Sequence, residues 1–378
     1  MRIKVLHIID VYLPETMNWL EELILLNSER YEHHIFALNK ISEFNPNIIN
    51  ARPSKQSVEY PISFIGKLIQ KLSFLFINRE LNHYCRTNAI QIIHIHFGNI
   101  AILFRKFLYQ SSLTKVISIY GYDYEYLVHK NPSTKEYYSN LAKHNCHFIA
   151  QGKYSKSKLA SYNIPIEKIH LVHMLYDRGI SSLPPEYKQP IRFVQIATFT
   201  RKKGQDIFIQ AASRQKDTNF TIDFYGEIAD PMYYKKLLQL AQENTHLCIR
   251  FHPKLSVSDY FKIMQSSHIA VNLSRTTESK DTEGGCPVFI KDALWFGRPV
   301  FATTHCDIPE IVVHKFNGWL AKEDDIDSAS RLLSEILLLS QKEYFGFSTN
   351  AQQSVRSNAT NHIAVDEIHD CYSRLLQA

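Results

Sequence analysis

The sequence predicts an α/β protein built from two doubly wound domains, each with a parallel sheet. The chain has 378 residues, which is too long for a typical single core. Short apolar runs alternate with longer helical patterns along its length, and this alternation is typical of parallel βαβ units. Because 45% of the residues are hydrophobic and 21% are charged, we expect an ordered globular protein.

The apolar runs fall into two series, and each series predicts one sheet. In the first half the predicted strands cover residues 4–9, 33–37, 92–96, 115–119, 147–150 and 169–173, with helices at 17–27 and 80–88. In the second half they cover residues 191–196, 221–225, 248–251, 269–272 and 300–302, with helices at 231–244 and 257–266.

A proline-rich segment marks the predicted domain boundary. Residues 181–190 contain Pro184, Pro185 and Pro190, which disfavour regular structure, so we predict a linker there. This gives an N-terminal domain at residues 1–180 and a C-terminal domain at residues 191–360. We treat residues 361–378 as a separate C-terminal helix, which is compatible with packing on either domain.

Charge and cysteine content narrow the class of protein. The net charge of +6 fits anionic small molecules or an anionic membrane surface, and it is too diffuse to indicate a nucleic acid partner. The six cysteines include no Cys-x-x-Cys pair, so we expect reduced thiols in the cytoplasm rather than disulfides or a zinc site. Since there is no long apolar run and no signal-peptide pattern, we expect a cytoplasmic protein that is soluble or peripheral to a membrane.

Residues 281–310 carry the clearest functional signal. Glu283 precedes a Gly-Gly turn, Pro287 stands where a helix is predicted to begin, and Asp292 lies within that helix. Such a junction gathers backbone N–H donors and the positive end of a helix dipole, which suits a phosphate group. With the two acids as acceptors for hydroxyls, and Glu283 expected to be exposed, the combination indicates a nucleotide-sugar site. The alternative interpretation is a surface loop that caps an ordinary helix.

A longer string of residues in this segment resembles glycosyltransferase family 4, a group of retaining sugar transferases. The matching positions, in order, are Glu283, Gly284, Asp292, Ala293, Gly297, Pro299, Val300, Pro309 and Glu310. The second acid is Asp rather than the usual Glu, and an extra glycine lengthens the loop by one residue. The resemblance implies the GT-B architecture, in which two Rossmann-like domains face each other across a cleft.

The resemblance also implies roles at the donor site. Glu283 would contact hydroxyls of the donor sugar, and Asp292 would contact the ribose of the nucleotide. The turn at Gly226 and Glu227 resembles a glycine turn of the family and is assigned to the donor as well. Backbone groups that would face the donor diphosphate belong to Gly284, Gly285, Cys286 and Val288.

A second match follows the first strand of the C-terminal domain. Residues 197–204 resemble a family segment whose arginine and lysine neutralise the leaving diphosphate, and fixed cations there stabilise the transition state. Lys203 occupies the lysine position, but Thr198 replaces the arginine. Either Arg201 or Lys202 is a candidate to supply the missing charge, with a solvated turn as an equal alternative.

In the first domain, two predicted strand ends resemble family segments. Residues 94–98 and 118–123 follow strands at the edge where open α/β sheets bind ligands. The second segment often carries a histidine that contacts the donor sugar. Here Tyr120 occupies that position, so either its phenol or the imidazole of His96 would contact the donor sugar. Asp123 is assigned to the acceptor side, and a structural role is the alternative for His96 and Asp123.

Two further parts of the first domain are candidate contact surfaces. Glu15 and Thr16 follow the first strand and are assigned to the acceptor side, although Thr16 is equally suited to cap a helix. Residues 64–79 are apolar and basic. Together with Arg86, Arg105 and Lys106, they would form a cationic face that suits an anionic bilayer. The alternative interpretation is an ordinary core helix with solvated lysines.

The resemblance implies a retaining glycosyltransferase that uses a nucleotide-diphosphate sugar as donor. The acceptor would be a hydroxyl of a glycan or lipid-linked molecule, in bacterial surface polysaccharide biosynthesis. We expect neither a cofactor nor a metal, because Lys203, backbone amides and the helix dipole supply positive charge. Two alternatives are a nucleotide-sugar epimerase of the same fold and a relative that binds nucleotide sugars without catalysis.

Overall fold

The structure, a computed structural model, describes residues 2–12, 18–40, 48–50, 64–173, 183–358 and 361–377. It divides into two compact units. The first unit comprises Met1–Leu175 and Asn361–Ala378, and the second comprises Tyr176–Thr360. The C-terminal helix therefore belongs to the first unit, and the segment at residues 181–190 falls at the start of the second.

The first unit contains one parallel sheet of seven strands in the order β3-β2-β1-β4-β5-β6-β7. Its elements are β1 (Ile3–Tyr12), α1 (Asn18–Leu26), β2 (Tyr31–Lys40), β3 (Ile49–Asn50), α2 (Phe64–Thr87), β4 (Ile92–His96), α3 (Gly98–Leu103), α4 (Arg105–Gln110), β5 (Thr114–Ser118), α5 (Gly121–Tyr124), α6 (Tyr126–Lys130), α7 (Thr134–Lys143), β6 (Cys146–Ala150), α8 (Lys153–Ala160), β7 (Ile169–Leu171) and, after the second unit, α16 (Asn361–Gln377).

The second unit contains one parallel sheet of six strands in the order β10-β9-β8-β11-β12-β13. Its elements are β8 (Ile191–Ile196), α9 (Gln205–Ala212), β9 (Phe220–Tyr225), α10 (Pro231–Glu243), β10 (Cys248–His252), α11 (Val257–Ser266), β11 (Ile269–Asn272), α12 (Val288–Trp295), β12 (Val300–Thr303), α13 (Ile308–Ile311), β13 (Gly318–Ala321), α14 (Ile326–Leu337) and α15 (Gln341–Asn358).

The predicted fold class, α/β with two Rossmann-like parallel sheets, is confirmed. Central strands are buried on both faces, as in β4, whose five residues are all buried. Such burial explains why they are continuous apolar runs rather than alternating patterns. The structure adds two short strands that the sequence did not signal, β3 and β13. It also shows that the helix predicted at residues 80–88 is only the last part of α2.

Strand order places the functional segments. In each sheet the order reverses at one point, between β1 and β4 in the first unit and between β8 and β11 in the second. Open α/β sheets bind ligands outside the carboxyl ends of the strands at such a switch point. In the second unit, the loops after β8 and β11 hold residues 197–204 and 273–287, which are the segments singled out by the sequence.

Helix α16 packs on the first unit through polar contacts and an apolar face. The hydroxyl of Tyr372 lies 2.5 Å from Nδ1 of His94, and Glu367 contacts His173 at 2.7 Å. Ile368, Cys371 and Tyr372 join the buried cluster under the sheet. Among the described helices, none is long and apolar enough to cross a membrane.

Candidate active site

Two loops of the second unit meet at the sheet's switch point. The ammonium of Lys203, after β8, lies 2.7 Å from Oε2 of Glu283, after β11. Next to this pair, Nζ of Lys202 lies 3.0 Å from Oδ1 of Asp281. The two ion pairs join segments 79 to 80 residues apart in the chain. The structure therefore brings together Lys203 and Glu283, which the sequence assigned separately to the diphosphate and the sugar.

The carboxylate of Glu283 is held in place on both of its oxygens. Its side chain is only 8% exposed, so the expectation of an exposed acid is wrong. Oε1 accepts a hydrogen bond of 2.6 Å from the hydroxyl of Ser274, while Oε2 faces Lys203. Burial alone would raise the pKa of Glu283, but Lys203, Lys202 and the hydrogen bonds outweigh it and lower the pKa below its ordinary value. The group is thus an ionised, oriented acceptor.

The loop after Glu283 leads into helix α12. Gly284 has φ +72°, a left-handed conformation that favours glycine at this position. Gly285 and Cys286 are half-buried, and Val288, the first residue of α12, is exposed. No side chain caps this helix end, since Pro287 precedes it. Backbone N–H groups of the first turn and the positive helix end therefore suit an anion. Burial raises the pKa of Cys286 to about 12, so its thiol stays protonated.

Asp292, the acid assigned to the ribose, lies inside the domain. It is 2% exposed, and its Oδ2 accepts a hydrogen bond of 2.7 Å from the hydroxyl of Tyr260 on α11. The sequence did not indicate this partner, because Tyr260 and Asp292 are 32 residues apart on different helices. A ligand hydroxyl at Asp292 would share this carboxylate with Tyr260.

The turn that carries Lys203 is fixed by an arginine that sequence reasoning missed. Arg275 donates from its backbone to the carbonyl of Lys202 at 2.9 Å and from Nε to the carbonyl of Arg201 at 3.1 Å. Its guanidinium also contacts both carboxylate oxygens of Asp206, at 3.0 and 3.1 Å. Burial would raise the pKa of Asp206, but Arg275 and other partners lower it. Arg275 thereby orders the cationic turn. Its position just after β11 was the only sequence signal.

The remaining donor-side candidates lie near this turn with looser contacts. The side chain of Arg201 is 59% exposed and lies 3.9 Å from Asp230. Thr198 is exposed, and its backbone carbonyl accepts a hydrogen bond from Gln205. Gly226 approaches the β8 loop closely, since a Cβ there would lie 2.0 Å from the carbonyl oxygen of Ala197. Its neighbour Glu227 is exposed and accepts a backbone hydrogen bond from Phe199.

A buried histidine after β12 was also missed by sequence reasoning. Nε2 of His305 lies 3.1 Å from the backbone nitrogen of Glu283, and Nδ1 lies 3.0 Å from Oε2 of Glu323. Burial would raise the pKa of Glu323, but hydrogen bonds from His305 and Thr276 outweigh it and lower the pKa to about 2. His305 follows a strand at the ligand-binding edge, and that position was the available signal.

In the first unit, His96 belongs to a row of buried imidazoles rather than standing alone. Its Nε2 lies 3.0 Å from Nδ1 of His7, whose Nε2 lies 3.0 Å from Nδ1 of His33. On its other side, Nδ1 of His96 lies 3.4 Å from the hydroxyl of Tyr120. The structure thus brings His96 and Tyr120 together at the strand ends. Nearby, Nε2 of His94 lies 2.7 Å from the hydroxyl of Ser118.

These imidazoles are neutral near pH 7. Burial lowers the pKa of His96 to about 3 and that of His33 to about 4. It also lowers the pKa of His7 and His94 well below the ordinary value, and neighbouring imidazoles add to the effect. This switch point therefore offers neutral hydrogen-bonding groups, in contrast to the charged groups of the second unit.

Asp123 makes backbone contacts at the same edge. It is fully buried, and its Oδ2 accepts a hydrogen bond of 3.0 Å from the backbone of Tyr120. Its Oδ1 lies 3.4 Å from the backbone nitrogen of Asn99 near the start of α3. Burial raises the pKa of Asp123 to about 6. The carboxyl therefore holds two loop segments at the strand ends. Glu15 and Thr16 lie outside the described residues.

Two groups of described residues have the composition of metal ligands. His7, His94 and His96 place ring nitrogens within 4.8 Å of one another. However, the His94 and His96 rings are stacked, with centroids 4.1 Å apart and planes 30° apart, so one ion cannot lie in the plane of both at bonding distance. An Asp-x-Asp triplet begins α14. Its Asp325 caps the helix by accepting from Ser328, and Asp327 pairs with Arg214. Both carboxylates therefore already have protein partners.

Comparison with known proteins supports a sugar-transferase assignment. Residues 182–354 match the family model for glycosyl transferases group 1. The amylovoran biosynthesis glycosyltransferase AmsK of Erwinia amylovora is 27% identical over 304 residues, which cover 76% of this chain and 71% of AmsK. The putative colanic acid biosynthesis glycosyltransferase WcaL of Escherichia coli K12 is 25% identical over 223 residues, which cover 58% of this chain and 54% of WcaL.

Solved structures show the same fold over the whole chain. HepE of Anabaena, in complex with UDP and glucose, has a TM-score of 0.73 at 14% identity and covers 99% of this chain and 100% of its own. Sucrose-phosphate synthase of Thermosynechococcus elongatus has a TM-score of 0.75 at 12% identity, with 100% of both chains covered. Such identities establish the fold alone. The chain is therefore a glycosyltransferase of the GT-B fold, and residues 182–354 are the part that is similar to group 1 glycosyl transferases.

Proposed function

We propose that this protein is a family 4 glycosyltransferase that moves a sugar from a nucleotide-diphosphate sugar to a hydroxyl with retention of anomeric configuration. The observation that carries the proposal is the contact of 2.7 Å between Lys203 and Glu283. It joins a cation suited to a diphosphate with an acid suited to sugar hydroxyls. Both lie at the strand edge where α/β sheets bind ligands.

The leaving diphosphate would bind to positive groups of the second unit. Lys203 has three N–H donors, of which one faces Glu283. Further donors are the backbone N–H groups of residues 284–286, in the loop before α12, and of Val288, its first residue. Charge develops on the diphosphate as the glycosidic bond breaks, so fixed donors at this place stabilise the transition state. Because these groups supply the positive field, we expect transfer without a metal ion or other cofactor.

The donor sugar and ribose would bind to the two acids. Glu283, fixed by Ser274, would accept hydrogen bonds from sugar hydroxyls, and Asp292 would accept one from the ribose. In the first unit, the neutral pair of His96 and Tyr120 would contact a sugar hydroxyl. No side chain is assigned as base, because the leaving phosphate would take the proton of the acceptor hydroxyl. Retention follows when acceptor and leaving group share one face of the sugar.

The printed functions of similar proteins support the setting. AmsK and WcaL are named for the biosynthesis of amylovoran and colanic acid, and HepE binds UDP and glucose. We therefore propose a UDP-sugar donor and a glycan or lipid-linked acceptor in bacterial surface polysaccharide biosynthesis. We propose that the protein acts in the cytoplasm.

Peripheral contact with the inner face of the membrane is a further part of the proposal. A pocket of about 470 Å³ between α2 and α4 is lined by Arg79, Arg86 and Lys106, with His83 beside them. Arg105 instead packs over the ring of Tyr137. Three cations around one pocket suit the phosphates of an anionic bilayer. Sedimentation with vesicles that contain phosphatidylglycerol tests this, with phosphatidylcholine vesicles as control; equal recovery with both would contradict it.

The first experiment is a thermal-shift series without added metal. UDP, GDP, ADP, CMP and their common sugar conjugates are compared, and stabilisation by UDP and one UDP-sugar is the expected result. Proton NMR of the transfer product then gives the anomeric configuration. An inverted product would refute retention. Silence across the whole series would refute the donor site and favour a relative that lacks catalysis.

A further inference from the structure

His305 makes two contacts at the edge of the proposed donor site. Its side chain is 1% exposed, and it follows β12, the strand next to β11. Nε2 lies 3.1 Å from the backbone nitrogen of Glu283, while Nδ1 lies 3.0 Å from the carboxylate of Glu323. A second carboxylate oxygen of Glu323 accepts from the backbone of Thr276. One imidazole therefore connects the loops after β11, β12 and β13.

These contacts fix the proton on the ring. A backbone N–H can only donate, so Nε2 of His305 must be the acceptor for Glu283. The thiol sulfur of Cys306 lies 3.2 Å from the same nitrogen. A ring that accepts at Nε2 carries a proton on Nδ1, from which it donates to Glu323. The carboxylate of Glu323 thus orients the imidazole of His305 so that the lone pair of Nε2 faces the backbone N–H of Glu283.

We infer that His305, oriented by Glu323, is a positioning residue of the donor site that holds the backbone of Glu283. The inference rests on the proposed function, since it assigns the loop at residues 283–288 to the donor. Glu283 is fixed twice, because its side chain meets Lys203 and Ser274 while its N–H meets His305. Without the imidazole, the N–H would lose its partner. The left-handed turn at Gly284 sets the direction of the backbone N–H groups that follow. Without the contact to His305, the residue before this turn would be less firmly held.

A second buried histidine of the same unit provides a matched control. His268 is fully buried; its Nδ1 accepts from the backbone of Arg192 at 2.8 Å, and its Nε2 donates to the carbonyl of Glu186 at 2.9 Å. Like His305, it accepts from a backbone N–H with one ring nitrogen and donates with the other, over similar distances. However, it lies at the amino ends of β8 and β11, the opposite edge of the sheet from Glu283. A general loss of stability would follow from either substitution, whereas a donor-site effect would follow from only one.

The test compares His305→Ala, His305→Gln and His268→Ala in the full chain. Hydrogen exchange of the peptide containing Glu283 and affinity for UDP are measured in each, and ring-nitrogen NMR locates the proton on His305. We expect His305→Ala to speed exchange and to weaken UDP binding, each by roughly tenfold, as for one lost hydrogen bond to a buried donor. His305→Gln keeps an acceptor and should restore most of both. His268→Ala should lower the melting temperature and leave both unchanged.

Three results would overturn the inference. They are a proton on Nε2 of His305, unchanged exchange and affinity in His305→Ala, and an equal loss of affinity in His268→Ala. The proposed function is judged separately by the unsubstituted protein. If that protein binds no nucleoside diphosphate, the donor site is refuted, while exchange and ring NMR still decide whether His305 holds the loop.

Discussion

The two units use the same position in the sheet with opposite electrostatics. At the switch point of the second unit, Lys203 and Glu283 form an ion pair that is largely buried. At the switch point of the first unit, His96 contacts His7 and Tyr120, and all three are uncharged near pH 7. Charged groups suit the proposed diphosphate, whose bond cleavage develops charge, and the ionised Glu283 is also proposed to meet sugar hydroxyls, whereas the neutral groups of the first unit offer hydrogen bonds alone. Under the proposed function, leaving-group stabilisation would therefore fall to the second unit, while sugar recognition would not be confined to the first.

The largest expected effect is on the acid of the second unit. Glu283→Gln should lower transfer at least about 100-fold, because it removes the charge that meets Lys203 and the sugar. Turnover of the UDP-sugar, measured by UDP release, checks this. Asp281→Asn is the matched control, since Asp281 forms the neighbouring ion pair with Lys202. If both variants lost the same activity, Glu283 would have no special role.

The next effect concerns the cation of the same pair. Lys203→Ala should weaken UDP binding by about tenfold or more and should lower the free energy of unfolding by about 3 kcal/mol, because Glu283 is left buried without its partner. Lys202→Ala removes a more exposed lysine and should do less to both quantities. Calorimetric titration with UDP and chemical denaturation give the two values. Equal effects of the two lysines would contradict the assignment to Lys203.

Acid should distinguish the units by stability. The pKa of His33 is about 4 in the folded chain and that of His96 about 3, both below the ordinary value. As the pH falls, the unfolded chain therefore binds protons before the folded chain does. The contribution of these histidines to the free energy of unfolding is fully present above about pH 6.5, and below it the free energy of unfolding falls by up to about 1.4 kcal/mol per pH unit per histidine. Glu283, whose pKa is lowered from that of an ordinary glutamate, loses its contribution only at lower pH.

Hydrogen exchange at pH 5 and pH 7 checks this expectation. Protection in β1, β2 and β4 should fall on acidification before protection in the loops around Glu283. His268, whose burial lowers its pKa to about 4, gives the second unit a smaller contribution of the same sign. Simultaneous loss in both units would contradict the proposed difference.

A smaller effect is expected at the neutral site. Tyr120→Phe should lower kcat/KM by roughly threefold to tenfold, as for one hydrogen bond between uncharged groups. Tyr120→His restores the residue that resembles family 4 and should retain more activity than Tyr120→Phe. Steady-state kinetics with varied donor concentration measures both. If Tyr120→Phe lost as much activity as Glu283→Gln, the proposed difference between the two switch points would be wrong.

The smallest effect is expected for the remaining candidate cation. Arg201 is 59% exposed and only loosely paired with Asp230, so Arg201→Ala should change UDP affinity by less than about threefold. The same titration measures it. A tenfold loss would show that Arg201 supplies the charge missing at Thr198.

Local patterns predicted most of the fold, while partners distant in sequence required the structure. Apolar runs located eleven strands that the structure confirms. The two missed strands are Ile49–Asn50, which has only two residues, and Gly318–Ala321, which has no β-branched residue to mark it as a strand. The bounds of some helices also differ from the prediction. Helix α2 begins at Phe64 rather than at residue 80, because a helical period alone does not show where a helix begins.

The same limit applies to the candidate site. Motif order and the rule for switch points place Lys203 and Glu283 at one edge, but their direct contact depends on how the two loops fold. The roles of His305, Arg275 and Tyr260 depend on partner groups that are 18 to 74 residues away in sequence and are brought near only by folding. Their residue types alone gave no signal.

Because helix α16 belongs to the first unit, the second unit is inserted within the sequence of the first. The chain leaves the first unit after Leu175 and returns at Asn361, so both termini belong to one unit. A truncation before Asn361 would leave the second unit whole and would damage the first unit, although the cut follows the second unit in sequence. It would remove the Tyr372 hydroxyl from His94 and expose the buried cluster around Ile368. The second unit is joined to the first at two places in the chain, after Leu175 and before Asn361.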